Sequence, residues 1–376
     1  MVRATVLVMA SVFAMTVSAA SRPKILVTFP TDGYFEMMGE SVTLGLKAAR
    51  ELMPELDRRY EFVDVPTKGD IKSMSEDIQQ AIKDHKPFAI VGGISSLHAF
   101  AIGDLAEKNG VYYIAPYATN PKVTEAKKYV YTTCFDDRFQ AEALAAFVVK
   151  KSKKKRVAMI SQAAEPYSVY LSQAFSEKVK QLGGEIVLSL TVSEGQPLPA
   201  ADKAKILELK PDYVFIPIYQ KSVAVMLKQF MSEKNANLTF LGSDAWAGGL
   251  TISGTFKEGL SPMKAYSVEH WVSSHTTALG KKVLDHLAQK QKAGEEQGYA
   301  RMDSSGMALG FDSALLLLQA AENKKAKVGR SPFDGLRFEG ATGRFDYRAG
   351  HAPRKTLYIL ESDMNGVRYF DKISEL

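Results

Sequence analysis

Short apolar runs alternate with amphipathic stripes along most of the chain. Residues 25–29 are apolar and end at the turn formers Pro30, Asp32 and Gly33. A helical stripe of Val42, Leu46, Ala49 and Met53 follows. The pattern then predicts strands at 60–65, 88–91 and 111–115. Helices are predicted at 71–83 and along Leu97, Ala101 and Leu105. Continuous apolar runs, each followed by a helical stripe, imply parallel strands covered on both faces.

A second series starts after Cys134. Phe139, Ala143 and Phe147 form a helical stripe, and residues 156–160 read as a strand. A helix at 168–181 closes on Gly183 and Gly184. Strands follow at 186–190, 213–218 and 238–241, with Val223, Met226, Leu227 and Phe230 marking the helix before the last. Two consecutive βαβ series predict an α/β fold of two doubly wound lobes. The remainder adds a strand at 263–268, helices at 278–291 and 305–321, and a closing hairpin at 356–360 and 367–370. It is too short for a core of its own and is expected to complete the two lobes. The predicted N-terminal lobe is 24–133 plus 270–339, and the C-terminal lobe 134–269 plus 340–376. A three-strand hinge is expected, with crossings near 133–135, 266–270 and 340–344. In open α/β sheets ligands sit at the carboxyl ends of the strands, so the loops there are the candidates for function.

The first 20 residues carry Arg3, an apolar run from 4 to 17 and the small residues Ser18, Ala19 and Ala20. This is the pattern of a secretory signal peptide cleaved near Ala20. The run is shorter than the roughly 20 residues of a spanning helix. No later segment is long and apolar enough to span, so a soluble, exported protein is expected. The only cysteine, Cys134, excludes an internal disulfide and thiolate-rich metal sites. The formal charge of +6 is mild and spread out. Its densest run, Lys150 to Arg156, lacks interleaved aromatics and reads as a solvated loop, not a nucleic-acid patch. No nucleophile elbow, phosphate loop or paired-histidine metal motif is present, so no enzyme, cofactor or metal is expected. His270 and His275 are the closest histidine pair, in a predicted loop.

At the strand-end loops the chain resembles the type I periplasmic binding proteins of branched-chain amino-acid (leucine/isoleucine/valine) ABC transporters. The resemblance rests on Ala89-Ile-Val-Gly-Gly-Ile-Ser-Ser96 and on Gly110-Val-Tyr-Tyr-Ile-Ala-Pro-Tyr-Ala-Thr-Asn-Pro121. Phe240-Leu-Gly-Ser-Asp-Ala-Trp246 and Phe338-Glu-Gly-Ala-Thr-Gly343 extend it across nearly the whole mature chain. It implies a two-lobed periplasmic protein that binds a small polar ligand, an amino acid or analogue, as a monomer and delivers it to an ABC permease. Two alternatives stay open: a sensing module of the same fold, and a binder of a carboxylate or amide lacking an α-amine.

The implied site has two halves. Ser95 or Ser96 can cap the helix after Gly93, and a free hydroxyl at a helix N-terminus suits a carboxylate. Tyr117, Ala118 and Thr119 correspond to the segment that holds the ligand head group. From the second lobe, Asp244 matches the acidic position set against an ammonium, a turn aspartate being the plain alternative. Tyr167 and Tyr219 match aromatic positions facing the cleft, and Trp246 lies nearer its edge. The segment Gly33-Tyr34-Phe35-Glu36-Met37-Met38 is bulkier than usual for the family, and Glu165-Pro166-Tyr167 keeps only the tyrosine of its usual motif.

Overall fold

The computed structural model describes residues 21–153, 155–231, 238–259, 261–293, 304–323 and 330–374. The expected signal segment and Lys154 of the basic run lie outside these. The first lobe contains β1 (Lys24–Thr28), α1 (Glu36–Leu52), α2 (Glu55–Arg59), β2 (Glu61–Asp64) and α3 (Ile71–His85). It continues with β3 (Ala89–Gly92), α4 (Ser96–Asn109), β4 (Tyr112–Ala115) and β5 (Val130–Thr132). The second lobe contains α5 (Asp137–Ala146), β6 (Arg156–Gln162), α6 (Pro166–Gln181), β7 (Glu185–Val192), α7 (Ala200–Leu209) and β8 (Tyr213–Phe215). It then adds α8 (Gln220–Phe230), β9 (Thr239–Leu241), α9 (Leu250–Glu258) and β10 (Lys264–Glu269). The chain ends with α10 (Ala278–Lys292), α11 (Ser305–Glu322), β11 (Arg337–Gly340), β12 (Gly343–Asp346), β13 (Leu357–Asp363) and β14 (Gly366–Ile373).

The first sheet runs β2-β1-β3-β4-β5, all parallel. The second runs β7-β6-β8-β9-β10, parallel, and then adds β13 and β14 antiparallel. Both parallel parts have the doubly wound order 2-1-3-4-5. Burial follows position in the sheet. Central β3 and β8 are buried throughout, while edge β2 and β7 are only half-buried. In β3, Ala89 and Val91 face the core under α1 and α11, and Ile90 faces the core under α3 and α4.

The tail helices belong to the first lobe. α1 and α11 cross closely because glycines stand at the crossing. A Cβ at Gly45 would come 1.8 Å from the Met307 carbonyl oxygen, and one at Gly310 2.0 Å from that of Val42. α11 is buried along almost its whole length, which explains its leucine run without a membrane. Among the described residues, no helix is long and apolar enough to cross one.

The chain passes between lobes after β5 and again after β10, where Trp271 joins the first core. The third crossing differs from the expected one at 340–344, and with it the boundary at 339/340. β11 and β12 form an antiparallel pair whose turn is held on the first lobe. There Asp312 of α11 accepts from Ala341 N–H at 2.6 Å, Thr342 N–H at 2.9 Å and the Thr342 hydroxyl at 2.5 Å. Phe345 and Tyr347 still pack in the first core. The chain therefore crosses at 348–356, just before β13. A glycine-rich turn reads as a link in sequence, whereas its hydrogen bonds come from a helix some 30 residues upstream.

Candidate functional site

The first-lobe half is built at the topological switch point beside β1 and β3. Gly92 lets β3 end close to β1, since a Cβ there would lie 2.1 Å from Thr28 O. Ser95 caps α4 by accepting from His98 N–H at 3.2 Å, and the His98 side chain completes a capping box. Its Nε2 reaches Gly69 O at 3.2 Å, so His98 is a packing residue. Because Ser95 caps, Ser96 does not. Its hydroxyl is buried at the helix start with no hydrogen-bond partner. Tyr117, Ala118 and Thr119 follow β4 and are all buried. The Thr119 hydroxyl acts on the Asp137 carboxyl, opposing the upward push of burial. Asn120 Nδ2 donates to Pro166 O at 3.0 Å and joins the two lobes beside the site.

The second-lobe half stands at the equivalent switch point of β6 and β8. Glu165 caps α6 by accepting from Tyr167 N–H at 3.4 Å. The Tyr167 hydroxyl donates to Asp244 Oδ1 at 2.6 Å. Tyr219, just past β8, stacks on Tyr167 with ring centroids 5.5 Å apart. Tyr34 and Phe35 of the first lobe meet the Tyr219 ring edge-on at 5.8 and 5.1 Å, so the bulky segment closes the cleft from the other side. Asp244 also accepts from Gln140 Nε2 at 2.9 Å and faces His270 Nε2 at 3.2 Å. Trp246 is fully buried, with its indole N–H on Ile216 O at 3.0 Å, and is a core residue.

Ser96, Tyr117, Ala118, Thr119, Tyr167, Tyr219 and Asp244 all line one small, nearly filled cavity of about 10 Å³. Met38, Ile94 and Ala245 complete its wall. A larger open groove between α1 and the ends of β1 and β2 contains none of these residues. Sequence reasoning missed the apolar wall and the polar layer behind Asp244, made of Asp137, Gln140 and His270. The signal for Asp137 and Gln140 was the Asp136 cap followed by polar residues on one buried helix face. His270 is buried and packs against Phe135 with ring centroids 3.9 Å apart, while His275 is exposed and stacks on Tyr369.

Burial sets the electrostatics. It pushes the Asp137 carboxyl well above the usual carboxylate range, with the Asp244 charge adding to the effect. It holds His270 below the usual imidazole range, opposed by Asp244. The buried tyrosine hydroxyls at 117, 167 and 219 are driven upward, chiefly by desolvation, and stay protonated. Among the described residues, no group of three or more His, Cys, Asp or Glu side chains could hold a metal ion.

Glu165 is pushed up to about 7 by burial, with the Tyr167 N–H opposing and Glu194 adding to the rise. Its folded pKa lies above the unfolded one, so the folded protein binds this proton more tightly. The associated stability is present below the unfolded carboxyl range and is lost as pH rises through about 7. Glu165→Gln keeps an acceptor for Tyr167 N–H and removes the titration. We expect it to match the parent near pH 4 and to exceed it by up to about 3 kcal/mol at pH 8. Urea unfolding at the two pH values checks this.

A family model described as periplasmic binding protein matches residues 23–367. The chain belongs to the periplasmic binding protein family. The Leu/Ile/Val-binding protein BraC3 of Rhizobium johnstonii is 30% identical over 172 residues, 44% of this chain. That match spans 46% of the relative's length. The leucine-binding protein LivK of Thermotoga maritima superposes with a TM-score of 0.79 at 26% identity, over 94% of this chain and 99% of that one. An ABC-transporter solute-binding protein of R. palustris, solved with benzoate, shares the fold with a TM-score of 0.76 at 18% identity, over 94% and 98% of the two chains. In this periplasmic binding protein, the cavity lies where both lobes present their switch points.

Proposed function

We propose that this protein is an extracytoplasmic, non-enzymatic solute-binding protein that captures an amino acid or close analogue and, as a monomer, delivers it to an ABC permease. One observation carries the reading. A buried, unpartnered serine hydroxyl at a helix N-terminus lines the same cavity as a buried carboxylate from the opposite lobe. The helix end and the Ser96 hydroxyl suit an α-carboxylate. Asp244 supplies the counter-charge that a desolvated ammonium needs. Each lobe then holds one end of the ligand, and binding selects the closed state.

A thermal-shift screen of amino acids, followed by calorimetry, tests the reading, because a ligand of the folded state raises the melting temperature. Ser96→Ala should weaken binding by about 0.5–3 kcal/mol, since the backbone N–H groups of α4 remain. The export signal is tested by mass spectrometry of the mature N-terminus, where cleavage near Ala20 is expected. Scattering with and without ligand should register compaction around the three crossings.

A second reading has its own support. Asp244 already carries three protein partners, so a carboxylate lacking an amine could occupy the cavity and leave them in place. The benzoate-bound relative has the same fold. Binding of benzoate but of no amino acid would select this reading.

A further inference from the structure

Behind Asp244 lies a second buried carboxyl that the head-group reading does not use. Asp137 opens α5 and is fully buried, as is Gln140 one turn later. The Gln140 amide nitrogen donates to Asp137 Oδ1 at 3.0 Å and to Asp244 Oδ1 at 2.9 Å. The amide oxygen is taken by Asp244 N–H at 3.0 Å. One side chain thus spans two carboxyls. Asp137 Oδ2 and His270 Nδ1 are both buried without a hydrogen-bond partner.

The groups acting on Asp137 come from several elements. Asp244 faces it from the turn after β9, Asp136 from its own helix, and the Thr119 hydroxyl from the first lobe. The Tyr167 and Tyr219 hydroxyls and the Cys134 thiol share its field. His270 stands beyond Asp244, and Lys355 acts on His270 and Cys134. Two bridged carboxyls in a dry site do not both ionise without a compensating positive charge.

We propose that Asp137, bridged to Asp244 by Gln140, is protonated when the cleft is closed, so that ligand capture takes up a proton. This rests on the two-lobed capture reading above. Asp137 donates its N–H to Thr119 O at 2.8 Å across the lobes, while Gln140 and Asp244 stand on its own lobe. Opening the cleft admits water beside the pair and lowers the penalty on the ionised form. Closing expels that water, and a proton moves from solvent to Asp137. Asp137 acts through Gln140 as a positioning residue. Held neutral, it leaves Asp244 with the one negative charge that meets the ligand's cationic group. The sign follows: the closed state binds the proton more tightly, so affinity is highest at low pH and falls as pH rises through the closed-state pKa of Asp137.

Carbon-13 labelling of aspartate carboxyls in the full chain tests this without any substitution. In the leucine-saturated protein, one carboxyl resonance should titrate above the ordinary aspartate range and vanish in Asp137→Asn. Titration of every aspartate of the leucine-saturated protein in the ordinary range overturns the proposal. With L-leucine as probe, calorimetry in phosphate and Tris should register proton uptake of up to one per ligand. Affinity should fall by up to about tenfold per pH unit through the transition. Asp137→Asn should abolish the uptake and flatten the slope below twofold. Zero uptake or proton release on leucine binding also overturns the proposal. If L-leucine does not bind, the amino-acid reading fails, and the same resonance and proton-uptake measurements on the benzoate-bound protein decide the proton on Asp137.

Discussion

Asp244→Ala is expected to weaken amino-acid binding by about 2–5 kcal/mol, roughly 30-fold to several-thousand-fold. The size follows from what the carboxylate holds. It accepts from Tyr167 and Gln140 and faces His270, all within a site almost closed to water. Removing it strands a ligand ammonium without a counter-charge and releases the Tyr167 hydroxyl from its fixed position. Asp244→Asn keeps the shape and loses the charge, so it separates packing from electrostatics. Calorimetry on both variants with the ligand from screening reads the effect. Full affinity in Asp244→Ala would remove the amino-acid reading and leave the carboxylate-only one.

Asp312→Ala should be the most damaging change outside the site, at about 3–5 kcal/mol of stability. Asp312 is fully buried and accepts from two backbone N–H groups and one hydroxyl in the 341–342 turn. Thr342 in turn accepts from Lys355 Nζ, which lies 3.6 Å above the Phe345 ring. Burial lowers the Lys355 pKa to about 8, and Asp312 opposes the shift. Alanine would orphan two buried N–H groups and take from Lys355 its nearby negative charge. Both losses fall where the third crossing leaves the first lobe. Urea unfolding measures the cost. Asp312→Asn, which keeps one acceptor oxygen, should lose distinctly less.

The two series of strands and helices were legible because each apolar run is buried on both sheet faces. Residues 88–91 predict β3 closely, and 278–291 predict α10. The short β5 and the β11–β12 pair were not read as strands, since each owes its pairing to distant segments. The third crossing was misplaced for the same reason. Ser95 and Ser96 were both eligible caps by residue type, and only the backbone of the β3–α4 turn decided between them.

All seven expected site residues line the cavity because they sit at strand ends, and a doubly wound order brings such ends to one place. Local pattern and motif determined that much, together with the family. Tertiary structure alone decided that Trp246 packs in the core and that the Thr119 carbonyl accepts from Asp137 N–H. It alone placed His270 against Asp244 and let Gln140 bridge Asp137 to Asp244. The physical reason is range. Hydrophobic period and turn chemistry act over a few residues, whereas the charge state of a buried carboxyl depends on partners that lie more than a hundred positions away in sequence and meet only when the second lobe folds.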